Sequence, residues 1–199
     1  MHREPLYDCA HCQTAAAYRA DCTRMPRNCP TLSRPDLAKN VESYLEPERA
    51  ELMRVADLAP FDDQHRQRNR VEELLFFVRA RRYSRVGVAF CVSLTKEAQE
   101  LGRRLEQHGV SAELACCRVG AVDYSVIGLA KEHPERFASI CNPVAQAKLL
   151  NEAGVQLIVQ LGLCLGHDLI LQEEARVPVT TLVVKDRALD HHAVEALRK

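Results

Sequence analysis

From residue 85 to its end the chain alternates short apolar runs with amphipathic segments. Residues 85–91 (RVGVAFC) are a short apolar run, as expected of a buried strand, and 110–117, 155–161 and 179–184 read as three further strands. Between the first two, Leu94, Ala98, Leu101 and Leu105 form one helical stripe, and Gly109 supplies the stop. Ahead of the third, Asn142 and Pro143 suit the N-cap and first position of a helix running to Gly154. A further short helix follows Asp168, which fits its N-cap. This alternation predicts an α/β fold built on a four-stranded parallel sheet with right-handed crossovers, Rossmann- or flavodoxin-like, in the order 2-1-3-4.

Upstream, residues 36–82 read as helical. Leu52, Val55, Ala56 and Ala59 recur at i, i+3, i+4 and i+7, with Pro47 near the start and Pro60 as a stop. Val71, Leu74, Leu75 and Val78 repeat the spacing, and both stripes are expected to pack on the sheet. Residues 1–35 differ: they hold four of the nine cysteines and four of the nine prolines, with no sustained apolar period. Such a segment cannot build a core, and a bound metal is the usual substitute. The expected organisation is therefore a cysteine-rich metal-binding segment, 1–35, followed by an α/β domain with N-terminal helices, 36–199.

Composition changes this picture little and charge narrows it. The 199 residues are 47% hydrophobic and 27% charged, ordinary values for a globular protein. Twenty-seven basic residues balance 27 acidic ones, so no net positive field draws the chain to nucleic acid or a membrane surface. Seven arginines between Arg66 and Arg85 read as a solvated helix face, since acidic residues balance them and aromatic interleaving is slight. The apolar stretch at 155–165 is too short to span a bilayer and is broken by Gln156, Gln160 and Gly162. Met-His-Arg-Glu-Pro opens the chain without the apolar core of a signal peptide. The expectation is a cytoplasmic protein in a reducing compartment, where disulfides rarely persist. Its partners would be a small molecule or a redox protein; nothing in the sequence sets the oligomeric state.

Against that background nine cysteines are unusual. Cys9-Ala-His-Cys12 is a C-x-x-C knuckle, followed by Cys22 and Cys29. Four thiolates so close in sequence can close a tetrahedral shell around zinc or hold an iron–sulfur cluster. The remaining five fall where an open parallel sheet binds ligands, at the carboxyl ends of its strands. Cys91 ends the first strand, Cys116 and Cys117 the second, Cys164 follows the third, and Cys141 precedes a helix. In the order 2-1-3 neighbouring strand ends lie only about 4.8 Å apart. Cys91, Cys117, Cys141 and Cys164 could thus share a second metal site. Cys116 and Cys117 point to opposite faces, so one of them belongs to the core, and Cys117 is the preferred ligand. Around this edge His167, Lys185 and Asp186 are candidates for holding a cofactor, and Lys185, Asp186 and Arg187 for a polar rim or an anion site.

Five motifs, AFC (89–91), CCRVG (116–120), CNP…QAKLLN (141–151), GLCLGHD (162–168) and TTLVVKDR (180–187), occur in order. With them the chain resembles, from Cys9 to its end, an uncharacterised prokaryotic family described as predicted metal-binding proteins. The resemblance implies that Cys9, Cys12, Cys22 and Cys29 correspond to that family's N-terminal cysteine motif. It implies equally that Cys91, Cys116, Cys117, Cys141 and Cys164 are motif positions, but it brings no reaction with it. One departure stands out: after the fourth strand the family tends to read Gly-His-Asn-Pro, where this chain has Asp190, His191, His192 and Ala193.

Familiar catalytic loops are missing. There is no G-x-G-x-x-G after the first strand, no G-x-x-x-x-G-K-[ST], no G-x-S-x-G and no H-E-x-x-H. The expected function is a metal-binding protein, carrying an iron–sulfur cluster or zinc. It would have an N-terminal four-cysteine site and a candidate second site at the sheet edge, suited to redox or sulfur chemistry. The alternative is a non-catalytic, zinc-stabilised module that binds a ligand or partner. A thiol enzyme using Cys91 or Cys164 as nucleophile with His167 as base is the weakest reading.

Overall fold

Strand runs of the kind found after residue 85 hydrogen-bond only if brought side by side, and the crossover segments between them are long enough to form helices. The computed structural model describes residues 6–7, 9–12 and 16–198, so the opening Met-His-Arg-Glu-Pro lies outside the described residues. The chain divides into two compact units, residues 1–54 and 55–199.

The first unit is a succession of short turns. After 3-10 turns at Ala16–Arg19 and Cys22–Arg24 come α1 (Pro30–Ser33), a 3-10 helix Pro35–Asn40 and α2 (Val41–Tyr44). The longer α3 (Pro47–Leu58) begins in this unit. Among its described residues only Ala16 and Cys29 are buried. The division at 54 falls later than the boundary at 35 expected from composition. The reason lies in residues 36–54, where Leu37, Val41, Leu45, Leu52 and Met53 are exposed and build no core. Of the Leu52 stripe, only Val55 and Ala59 are buried.

The second unit holds the sheet. Its first complete helix, α4 (Arg70–Ala80), starts on a capping box: Asn69 accepts from the N–H groups of Val71 and Glu72, and Glu72 accepts from the N–H of Asn69. Then follow β1 (Arg85–Phe90), α5 (Thr95–Gln107), β2 (Ser111–Cys116), α6 (Pro143–Glu152), β3 (Leu157–Leu161), α7 (His167–Glu174) and β4 (Val179–Val183). The strands are parallel in the order β2-β1-β3-β4, as the alternation predicts. Phe90 lies opposite both Cys116 and Leu161, so the three inner strands stop in step.

Each face of the sheet has its own core. Val86, Val88 and Phe90, with Leu157, Val159 and Leu161, pack on α4 and α5 through Leu74, Leu75, Val78, Ala98, Leu101 and Leu105. The opposite face is built of smaller residues. Ala89 and Ala115 pack with Ala147 and Leu150 of α6 and Leu171 of α7, and a Cβ at Gly87 would lie 3.0 Å from Leu150. Cys91 and Cys117 belong to this second cluster, while Cys116 touches both.

One local expectation changes. Asp168 is the second residue of α7 instead of its cap, and its carboxylate accepts from the N–H groups of Gly166 and Leu169. The arginines of the 66–85 run lie mostly at the surface, with Arg68 also on the carbonyls of Leu58, Ala59 and Phe61 and Arg70 on Glu73 and Thr180. Among the described residues no helix is long and apolar enough to cross a membrane.

Gly162, just past β3, decides how closely the strand ends meet the following loops. It has φ +65°, and a Cβ there would run into Leu94 and touch the stem of Lys185. Gly162→Ala is expected to destabilise the fold by about 1–3 kcal/mol, through left-handed strain and displacement of buried Leu94. The shift of the urea midpoint checks this.

Candidate functional site

The ends of the parallel strands are knit together by backbone hydrogen bonds that run past the strands themselves. Cys91 donates its N–H to Leu161 at 3.1 Å, Cys117 donates to Phe90 at 2.9 Å, and Asn142 donates to Cys117 at 2.7 Å. Gln146 of α6, fully buried, completes the frame: its Nε2 donates to the carbonyls of Ala115 at 2.8 Å and Phe90 at 3.3 Å. Its Oε1 is buried without a partner. These bonds bring Cys91, Cys117 and Cys141 together beside the β1–β3 switch point, where chain connections part to either side of the sheet and open parallel sheets form their crevice.

Cys141 reaches the crevice on a long loop, and Asp123 holds that loop in shape. Its carboxylate accepts from Ser125 N–H and Oγ and from Ala138 N–H, and pairs with Lys131 at 3.2 Å. These bonds, the Ser125 hydroxyl foremost, keep its pKa well below the usual carboxylate range.

Electrostatics then separates thiols that sequence spacing makes look alike. Cys91 is buried, which pushes its thiol up. Against that it accepts from the Ser93 hydroxyl at 3.4 Å, from the Ser93 N–H and from the Lys185 ammonium at 3.4 Å. The donors win, and Cys91 lies below the ordinary thiol value of 9.0. Cys117 goes the other way. Burial outweighs the single N–H of Val92, 3.4 Å from its sulfur, and with the charges of Cys141, Cys91 and Cys116 pushes it up to about 12. Cys164, half-buried after β3, accepts from Arg187 Nη2 at 3.0 Å. Arg187 also feels the charges of Cys91 and Cys141.

Of the three residues expected to hold a cofactor, Lys185 enters the crevice. Asp186 is committed to its own turn, accepting from the N–H groups of Ala188 and Leu189. His167 opens α7, donating its N–H to the Cys164 carbonyl at 2.9 Å, and its ring makes no hydrogen bond to a described residue. Among the described residues no three His, Cys, Asp or Glu side chains are grouped closely enough to hold a metal ion. At the N-terminus Cys9, Cys12 and Cys29 line one cavity of about 290 Å³ with Tyr18 and Pro26, while Cys22 is exposed outside that lining. Two cavities of about 390 and 400 Å³ share Arg70 and Leu182 in their linings near β4 and contain no thiol.

Sequence reasoning missed Ser93 and Gln146. Ser93 stands two residues after Cys91 and looks like an ordinary helix-start serine. Gln146 carries a faint signal, a polar residue beside the apolar positions Ala147 and Leu150.

Fold and site together define a parallel α/β protein with a cation-rimmed thiol crevice at the carboxyl edge of its sheet. The chain belongs to the family described as "Protein of unknown function (DUF1847)", whose model matches residues 29–182. It is 33% identical over 161 residues to the uncharacterized protein MJ0455 of Methanocaldococcus jannaschii, covering 80% of this chain and 81% of that one. No solved structure matches the chain significantly. The matched family region contains all five sheet-edge cysteines and Cys29; Cys9, Cys12 and Cys22 lie ahead of it.

The raised Cys117 thiol has a signed consequence for stability. A group whose folded pKa exceeds its unfolded value contributes stability below the unfolded value, lost as pH climbs through the folded one. The protein is therefore expected to lose stability as pH rises from about 9 towards about 12. Cys117→Ala should lose less over that window, as urea midpoints measured along a pH series will report.

Proposed function

We propose that this protein binds a thiophilic metal centre, zinc or an iron–sulfur cluster, through Cys9, Cys12, Cys22 and Cys29. The observation that carries this reading is the cavity shared by Cys9, Cys12 and Cys29, in a unit whose only other buried described residue is Ala16. Turns that bury so little apolar surface have scant folding energy of their own, and closing a thiolate shell on a metal supplies it. The donor set fits: thiolate sulfur is the preferred ligand of zinc and of iron–sulfur clusters. Cys22, exposed on its 3-10 turn, is the fourth donor in this reading. When bound, zinc would act as a structural clamp, whereas a cluster would add one-electron redox capacity.

A second metal site at the sheet edge, shared by Cys91, Cys117, Cys141 and Cys164, is the second part of the reading; it rests on the packing of Cys91, Cys117 and Cys141 in one cluster. The non-catalytic alternative keeps the N-terminal zinc and leaves the sheet edge to a ligand or partner.

Anaerobic purification followed by metal and acid-labile sulfide analysis tests the proposal. Bound metal is expected, and Cys9→Ser/Cys12→Ser should lose it together with ordered structure in the first unit. Iron with sulfide and broad visible absorption selects the cluster; a colourless zinc protein selects the clamp. Metal that persists in the double variant would move the centre to the sheet edge, and protein without metal under any loading condition would sink the reading.

A further inference from the structure

Beyond metal binding, and independently of it, the geometry points to Cys91 as a sulfur-accepting nucleophile. We propose that it takes a sulfane sulfur atom from a small anionic donor of the thiosulfate or polysulfide class, which Lys185 and Arg187 hold beside it.

Three observations carry this. The first is position: Cys91 directly follows β1 at the switch point, tied by its N–H to Leu161, and caps the 3-10 turn Val92–Leu94 that leads into α5. The second is what surrounds its sulfur. Ser93 Oγ and Lys185 Nζ each lie 3.4 Å away, and Lys185 also donates to Ser93. Arg187 stands on the neighbouring thiol Cys164 at 3.0 Å. Two cations therefore reach the crevice from one strand end, which suits an anionic donor. The third is how the backbone donors are used. In acyl transfer the N–H groups at such a helix start hold a developing oxyanion. Here the Val92 N–H is directed at Cys117 sulfur and the Ser93 N–H at Cys91 sulfur. Among the described residues no histidine hydrogen-bonds to Cys91, which sets it apart from the base-assisted pair of a thiol protease.

Sulfur transfer needs neither an oxyanion hole nor a protonated leaving group. With thiosulfate, the Cys91 thiolate attacks the outer sulfur, and a bond forms between Sγ and that atom. The sulfur–sulfur bond of thiosulfate breaks, and its electron pair leaves on sulfite. Cys91 becomes a perthiolate of unchanged charge, no proton moves, and no external oxidant or reductant enters. With a polysulfide the same attack releases a chain one sulfur shorter. The ammonium of Lys185 and the hydroxyl of Ser93 are placed to hold negative charge on sulfur before and after the transfer. Cys117 is buried, and its sulfur faces the Val92 N–H.

The full-length protein, as purified with whatever metal it carries, is incubated with thiosulfate in one arm and inorganic polysulfide in the other. It is then desalted, alkylated with iodoacetamide and mapped by mass spectrometry, with metal content recorded for every variant. One added sulfur is expected on the peptide containing Cys91 in at least one arm, and which arm responds identifies the donor. Cys91→Ser should abolish it without loss of metal, and Lys185→Met should slow loading roughly tenfold or more while the fold survives, as circular dichroism would verify. Sulfur appearing on another cysteine, or Cys91 alkylated freely yet loaded in neither arm, overturns the proposal. So does loss of metal in Cys91→Ser, which would make Cys91 a ligand. Because the N-terminal metal is read separately, this inference and the metal-binding proposal can fail independently.

Discussion

Parallel strands that stop in step leave a row of carbonyls and N–H groups at their carboxyl ends, too buried for water to satisfy freely. In this protein that row is closed from within. Cys91 and Cys117 extend the ladder by one bond each, onto Leu161 and Phe90, and Gln146 spans two carbonyls with one amide. The rest of the crevice depends on this closure. Cys91 and Cys117 are the residues that make the closing bonds, so their side chains are fixed at the edge by backbone geometry. α6, from which Gln146 reaches in, can approach because Gly87, Ala89, Ala115 and Ala147 keep that face of the sheet thin.

A common location does not give the thiols a common chemistry. Cys91 and Cys117 differ mainly in the number of donors that face their sulfur, several against one, and burial acts on both. The outcome is one thiol held below its ordinary value and another held above it, side by side.

The sheet was legible because its signal is redundant. Four apolar runs, the Asn142–Pro143 helix start and the stops at Gly109 and Gly154 all imply the same alternation, and each strand falls within two residues of its expected ends. Legibility failed wherever an interaction joins residues far apart in sequence. Lys185 and Cys91 are 94 positions apart and Arg187 and Cys164 are 23 apart, so no spacing rule connects them. Ser93 was within reach of sequence reasoning but indistinguishable from a routine helix-start residue. Along 36–54 periodicity misled, because a helical stripe such as Leu52's is also seen where the chain packs only loosely. Cys29, the one N-terminal cysteine that is buried, likewise gives no hint of that in its sequence context.

The turn after β4 explains how one strand end supplies two cations to the crevice. Asp186 binds the N–H groups of Ala188 and Leu189, while its own N–H donates to His191 Nδ1 and its carbonyl accepts from the His191 N–H. Asp190 and His191 both adopt left-handed backbone, with φ of +45° and +67°. Asparagine, aspartate and histidine tolerate that region better than other side chains, and glycine tolerates it best. Asp190 and His191 thus keep the turn possible without glycine, at some cost in strain. By pinning Asp186, the turn leaves its two neighbours, at alternate positions along the chain, on the same side of it. That is the condition for Lys185 to reach Cys91 and Arg187 to reach Cys164 at once, and Asp186 positions both.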